Sequence, residues 1–180
     1  MDCDLCEQYL AEVLQEERPR QLVDALREGS TPKKGGTPPL CQGEIPVRCY
    51  DLSSNPSYNR IRGMLCADKL SGEPELVLCA NKLSSKDEVR ETVVHELVHY
   101  YDYCVKGLDL RECEQNAYSE IRANREAECH PRDGFWFDWR WENCVRSNAL
   151  RSTRIVHPGS GKAEACVAKV FREALADASP

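Results

Sequence analysis

The sequence predicts an α+β domain, with a short β-sheet packed on a long helix and further helices towards both ends. Three observations predict it. Apolar residues recur at helical spacing between 4 and 28 and again beyond 110. Between these regions, short apolar runs from Ile45 to Cys79 are separated by turn residues. A capped, one-sided helix then begins after Ser85. The chain has 180 residues, enough for one domain over 1–180 with a real core. It divides into a helical segment (1–28), a linker (29–43) and a core with C-terminal helices (44–178).

Leu5, Tyr9, Val13 and Leu14, then Leu22, Val23 and Leu26, carry the first helical pattern. Pro19 interrupts it, so two short helices are expected. Gly29 to Gly43 is rich in Gly, Pro, Thr and Lys, including the solvated pair Lys33 and Lys34. Ile45 to Leu52 reads as a strand, Asn55 to Asn59 as a turn, and Ile61 to Cys66 as a second strand. Gly72-Glu73-Pro74 turns into Leu76 to Cys79, the clearest strand, read as an edge open to an extended substrate. Ser85 and Glu88 fit a capping box, after which Val89, Val93, Leu97 and Tyr101 follow one helix face towards a stop at Gly107. Helices are expected over 110–129, 140–152 and 162–177, the last two separated by His157-Pro158-Gly159.

Composition excludes several classes. A net charge of -6 gives no electrostatic reason to expect a nucleic-acid partner. No run approaches the roughly 20 apolar residues that span a bilayer. Met1-Asp2-Cys3-Asp4 has neither the apolar core of a secretory signal nor the basic bias of a transit peptide. The 11 cysteines are spread along the chain and favour a disulfide framework over reduced thiols. Their odd count leaves at least one outside any intramolecular pair, and Cys3-x-x-Cys6 reads as one end of that framework.

His95-Glu96-Leu97-Val98-His99 spells H-E-x-x-H within the capped helix. Two imidazoles four residues apart share a helix face and can reach one zinc ion, with Glu96 placed as general base for a water at that metal. A catalytic zinc takes a third protein ligand. Glu120, 21 residues after His99, is placed to supply it from a helix packed antiparallel; Glu114, Glu126 and Glu128 compete. Asp102, one turn after His99, is expected to orient a ligand imidazole or to bind the metal itself. His157, His130, Tyr118 and Tyr58 are candidates for stabilising an oxyanion, and nothing in the residues chooses among them. Phe135 to Trp141 holds five aromatics, read first as core packing, with a substrate groove or a membrane interface as alternatives.

His-Glu-Leu-Val-His-Tyr-Tyr-Asp at 95–102, Cys104, Ser-Glu-Ile-Arg-Ala at 119–123, Cys129, Leu-Cys-x-Asn at 78–81 and Cys144-Val145-Arg146 resemble the mitochondrial ATP-synthase-assembly metalloproteases. The resemblance covers roughly residues 3 to 172. It implies a small gluzincin-like metalloprotease domain: a sheet on the H-E-x-x-H helix and a downstream helix bearing the glutamate ligand, Glu120. It further implies one catalytic Zn2+ and a site in the intermembrane space, peripheral on the inner membrane. The implied substrate is a protein precursor of a mitochondrially encoded subunit of the ATP synthase membrane sector, whose assembly intermediates are further partners. Oxidation of the cysteines on import is implied as well. Two other functions compete with an active endopeptidase: a non-enzymatic assembly chaperone, and a zinc-binding module using cysteine ligands. Glu96 between the histidines favours the enzyme, since a binding module needs no general base there.

Overall fold

The computed structural model describes residues 1–29, 41, 45–56, 59, 61–67, 74–129 and 138–180, with the Asp138 side chain excluded. Most of the linker, including Lys33 and Lys34, lies outside them, as do Tyr58, His130, Phe135, Trp136 and Phe137.

Asp2 caps α1 (Cys3–Val13) by accepting a hydrogen bond from the Leu5 backbone N–H at 2.8 Å. Cys6, Leu10 and Val13 recur along its buried stripe. The break falls at residues 14–16, before α2 (Glu17–Gly29), and Pro19 sits inside the first turn of α2. A first-turn proline loses no intrahelical bond, so Pro19 marks a start and not the interruption expected of it.

Among the described residues three strands follow: β1 (Val47–Tyr50), β2 (Gly63–Ala67) and β3 (Pro74–Cys79). β3 is central, parallel to β1 and antiparallel to β2, so Leu76 is flanked by Val47 and Leu65. All six β3 residues are buried, and this explains their continuous apolar run. The expectation that Leu76 to Cys79 forms an open edge is therefore wrong: both edges of that strand are paired, and among the described residues β2 is an edge of the sheet instead.

A 3-10 turn (Ala80–Lys82) leads to α3 (Lys86–Cys104). The Ser85 hydroxyl accepts from the Glu88 N–H at 3.2 Å, while the Glu88 carboxylate accepts from Ser84 N–H and O–H. The reciprocal bond of the capping box has moved back one residue. α3 ends at Cys104; Gly107, at φ 70, turns the chain two residues beyond the cap at Val105. The helix is buried on most sides, against α1 and α2, the sheet, and α4 (Cys113–Ala127). Then come α5 (Asp138–Val156) and α6 (Lys162–Ala176), both packed on α4.

Two apolar cores result. Leu10, Leu22, Leu26, Leu76, Val89 and Leu97 belong to the first, around α3 and the sheet. Ala117, Ile121, Val145, Val167 and Phe171 form the second, between α4, α5 and α6. Trp141 packs on the second core and donates its indole N–H to the Cys129 carbonyl at 2.8 Å, whereas Trp139 is 62% exposed. Core packing thus holds for only one of these two tryptophans.

Eight cysteines form four disulfides: Cys6–Cys49, Cys41–Cys104, Cys113–Cys166 and Cys129–Cys144. Of the Cys3-x-x-Cys6 pair only Cys6 is bridged. Among the described residues no helix is long and apolar enough to cross a membrane.

Candidate metal centre and cleft

The site lies where α3 meets α4. One turn of α3 separates His95 from His99, and their Nε2 atoms approach to 3.0 Å. From α4, the Glu120 carboxylate comes within 3.4 Å of His95 Nε2 and 3.6 Å of His99 Nε2. One ligand atom from each of the three residues lies within 4.8 Å of the others. Two imidazole nitrogens and a carboxylate oxygen converging on one point could hold a metal ion, and they are the donor types that zinc takes. Of the competing acids, Glu114 pairs with Lys169 and Glu126 with Arg18 and Arg125, away from the histidines.

The surroundings of each imidazole support that fit. His99 Nδ1 lies 2.7 Å from Ser119 Oγ; with Nε2 turned to a metal, Nδ1–H donates to that hydroxyl and fixes the tautomer. His95 Nδ1 is buried without a hydrogen bond, 3.7 Å from Glu128 Oε1. Glu128 itself is held by Arg62 at 2.9 Å and Asn148 at 3.1 Å. This acid therefore stands beside the outer nitrogen of His95, behind the converging donor atoms. Asp102 does not approach either imidazole as expected. It is fully buried and pairs with Arg122, which also contacts Asp177 and the Ser179 carbonyl. Three residues along a helix turn the direction by about 300°, enough to send Asp102 into the α3–α4 contact.

Charge is concentrated here. Burial, with Glu120 and Glu128 nearby, pushes the Glu96 carboxyl up to about 7, although His95 opposes it. Burial works against a charged His95, but hydrogen bonding to Glu120 and the charges of Glu120, Glu96 and Glu128 raise it to about 9. Burial lowers His99 to about 4. Burial also opposes charge on Glu120, yet His99, His95 and Ser152 prevail and keep its pKa below the ordinary glutamate value. Charge on His95 offsets only part of the negative charge of these carboxylates, and a divalent cation at the same point would offset more of it.

These groups line a cleft of about 1150 Å³. Gly63, Met64 and Leu65 of β2 form one wall, and Arg151, Ser152, Ile155 and Val156 of α5 form another. Leu110, Arg111 and Asn116 close one side. Gly63 is glycine for a reason: a Cβ there would stand 2.5 Å from Thr92 Cγ2 and 2.9 Å from both Cγ and Oε1 of Glu96. Neither His157 nor Tyr118 lines the cleft. His157 is buried beyond the end of α5, and Tyr118 donates to Asp177 at 2.6 Å.

A sequence model of the Peptidase M76 family matches residues 6–180. The chain belongs to the Peptidase M76 family. Its similarity to other proteins agrees with that placement. The mitochondrial inner membrane protease ATP23 of Mycosarcoma maydis is 31% identical over 120 residues, covering 61% of this chain and 55% of that protein. The protein of the same name from Neosartorya fischeri is 35% identical over 135 residues, 68% of this chain and 54% of its own length. The ATP23 homolog of Xenopus laevis is 34% identical over 114 residues, 59% of this chain and 48% of its own. The chain thus spans about half the length of these relatives. No solved structure matches it.

Ser119, Gly63, Asn116 and the α5 wall were not assigned roles from the sequence. Ser119 had a signal, its position next to Glu120 within Ser-Glu-Ile-Arg-Ala, but nothing in one dimension says which ring nitrogen it meets.

Proposed function

We propose that the chain is a zinc-dependent endopeptidase of the mitochondrial intermembrane space, peripheral on the inner membrane. In this reading it processes the precursor of a mitochondrially encoded subunit of the ATP synthase membrane sector and assists assembly of that sector. The observation that carries the peptidase chemistry is the buried Glu96 beside two imidazoles that converge with Glu120 at the cleft. The M76 family and the names of the inner membrane proteases ATP23 support the reading, and four disulfides suit an oxidising compartment.

His95, His99 and Glu120 would hold the zinc, with Ser119 fixing the His99 ring and Glu128 standing beside the outer nitrogen of His95. When bound, zinc supplies Lewis acidity, making a water more acidic and a carbonyl more electrophilic. Glu96 accepts the proton of the attacking water and returns it to the leaving amine nitrogen. A carboxyl held near neutrality suits both transfers. β2, as an edge strand along the cleft, offers backbone groups with which an extended peptide can pair.

The test is Glu96→Gln, with precursor cleavage, ATP synthase assembly and zinc content measured together. Cleavage is expected to fall by about 10²-fold or more with zinc retained. Unchanged cleavage removes Glu96 as general base. Lost cleavage with intact assembly separates the assembly role from proteolysis.

A further inference from the structure

Asn116 lines the cleft, and its carboxamide oxygen has no hydrogen-bond partner among the described residues. Asn116 is only 5% exposed, and its Oδ1 is buried without a hydrogen bond among the described residues. Native proteins rarely leave such an acceptor unmatched, because its desolvation is not repaid. Other side-chain atoms share this condition but differ in place. His95 Nδ1 is the outer nitrogen of a ligand residue, beside Glu128, while Asp102 Oδ2 and His157 Nε2 lie off the cleft. Asn116 lines the cleft, four residues before Glu120 on α4. That spacing puts both on one helix face, about 6 Å apart along the axis.

We propose that Asn116 anchors the main chain of a bound peptide. The proposal rests on the peptidase reading and deepens it, naming an extended backbone amide as the group recognised. A carboxamide matches a peptide unit with one acceptor and one donor, so Oδ1 takes a backbone N–H and Nδ2 gives to a backbone carbonyl. Extended chain advances about 3.3 Å per residue, so 6 Å from Glu120 corresponds to roughly two residues from the scissile bond. The anchor is independent of side-chain identity. It selects unfolded segments, since helices and paired strands have already used their amides.

The experiment scans single backbone N-methyl groups along a decapeptide cleaved by the zinc-loaded protein with its disulfides intact. In the wild type, methylation about two residues from the cleaved bond is expected to raise KM at least 10-fold with little change in kcat. In Asn116→Ala that one penalty disappears and the others persist; Asn116→Ala also melts no lower than the wild type, because an unmatched polar group has gone. If the variant keeps the full set of penalties, or loses them all equally, the proposal is overturned. A second readout does not depend on cleavage. Acetyl-Ala-Leu-Ala-Leu-Ala-amide is titrated into the Glu96→Gln protein while the Asn116 side-chain NH₂ resonances are followed. A saturable shift supports the anchor, and unmoved resonances under saturating binding overturn it. Failure of the wild type to cleave any peptide would instead count against the peptidase reading and leave this second readout decisive.

Discussion

Replacing Gly63 by alanine isolates the packing of β2 against Glu96 from the metal ligands. The added Cβ would stand 2.5 Å from Thr92 Cγ2 and 2.9 Å from Glu96 Cγ and Oε1. Carbon atoms in contact prefer about 3.5 to 4.0 Å, so β2, Thr92 and Glu96 together must yield about 1 Å. Overpacking of this kind costs about 1–3 kcal/mol of stability. The catalytic effect is the larger one, because a 1 Å misplacement of a reacting group can lower turnover about 100-fold. Gly63→Ala is therefore expected to keep stoichiometric zinc, lose a few degrees of melting temperature, and drop in kcat/KM by about 10- to 100-fold. Thr92→Ser removes the clashing methyl and leaves the hydroxyl that bonds the Glu88 carbonyl at 2.8 Å. Adding it to Gly63→Ala should recover part of the activity. A Gly63→Ala protein with wild-type kcat/KM, or one not helped at all by Thr92→Ser, would refute the reasoning.

Ser119→Ala removes the partner of His99 Nδ1 and should weaken zinc affinity about 10- to 100-fold, read by competition with a chelator. Unaltered affinity means that the hydroxyl does not hold the ring. Asp102→Ala leaves Arg122 buried with Asp177 as its remaining ion-pair partner among the described residues, at a cost of about 3 kcal/mol in denaturant unfolding; a change within about 0.5 kcal/mol contradicts the pair's structural role. Asp177 supplies the pH prediction. Burial opposes its charge, yet hydrogen bonds from Lys106, Tyr118 and Ser179 hold its carboxyl well below the usual aspartate range. The folded form is the stronger acid, so its stabilisation is complete above the unfolded pKa near 4 and declines as pH falls towards the folded value. Asp177→Asn should flatten the stability profile below about pH 4. An unchanged acid limb rules out Asp177 as its source.

Much of the fold was legible because local signals and burial agree. The Ser85 cap, the stripe of Val89, Val93 and Leu97, and the H-E-x-x-H spacing all belong to one helix, and α3 forms there. Leu76 to Cys79 was readable as a strand, but its place was not: a buried central strand and a covered edge carry the same apolar run. Asp102 and Arg122 show a different limit. Helical spacing puts Asp102 near His99, yet a buried guanidinium on α4 is the stronger partner, and that pairing exists only once the helices pack. The same holds for Ser119, Asn116 and the α5 wall. Each gains meaning from a neighbour supplied by another element, and no periodicity along the chain records that neighbour.

The placement of the disulfides has a consequence for how the molecule is completed. Cys6–Cys49 and Cys41–Cys104 staple the half built on α1, β1 and α3, and Cys113–Cys166 and Cys129–Cys144 staple the half built on α4, α5 and α6. No bridge joins one half to the other. The native pairing of each half therefore needs no cysteine from the other. Across the seam Asp102 faces Arg122, Glu120 faces His95 and His99, Arg18 pairs with Glu126 and Arg62 with Glu128, and Ala123 and Ala127 of α4 pack into the core around α3. A metal held by His95, His99 and Glu120 would add one more tie between α3 and α4, at the point where the proposed chemistry takes place.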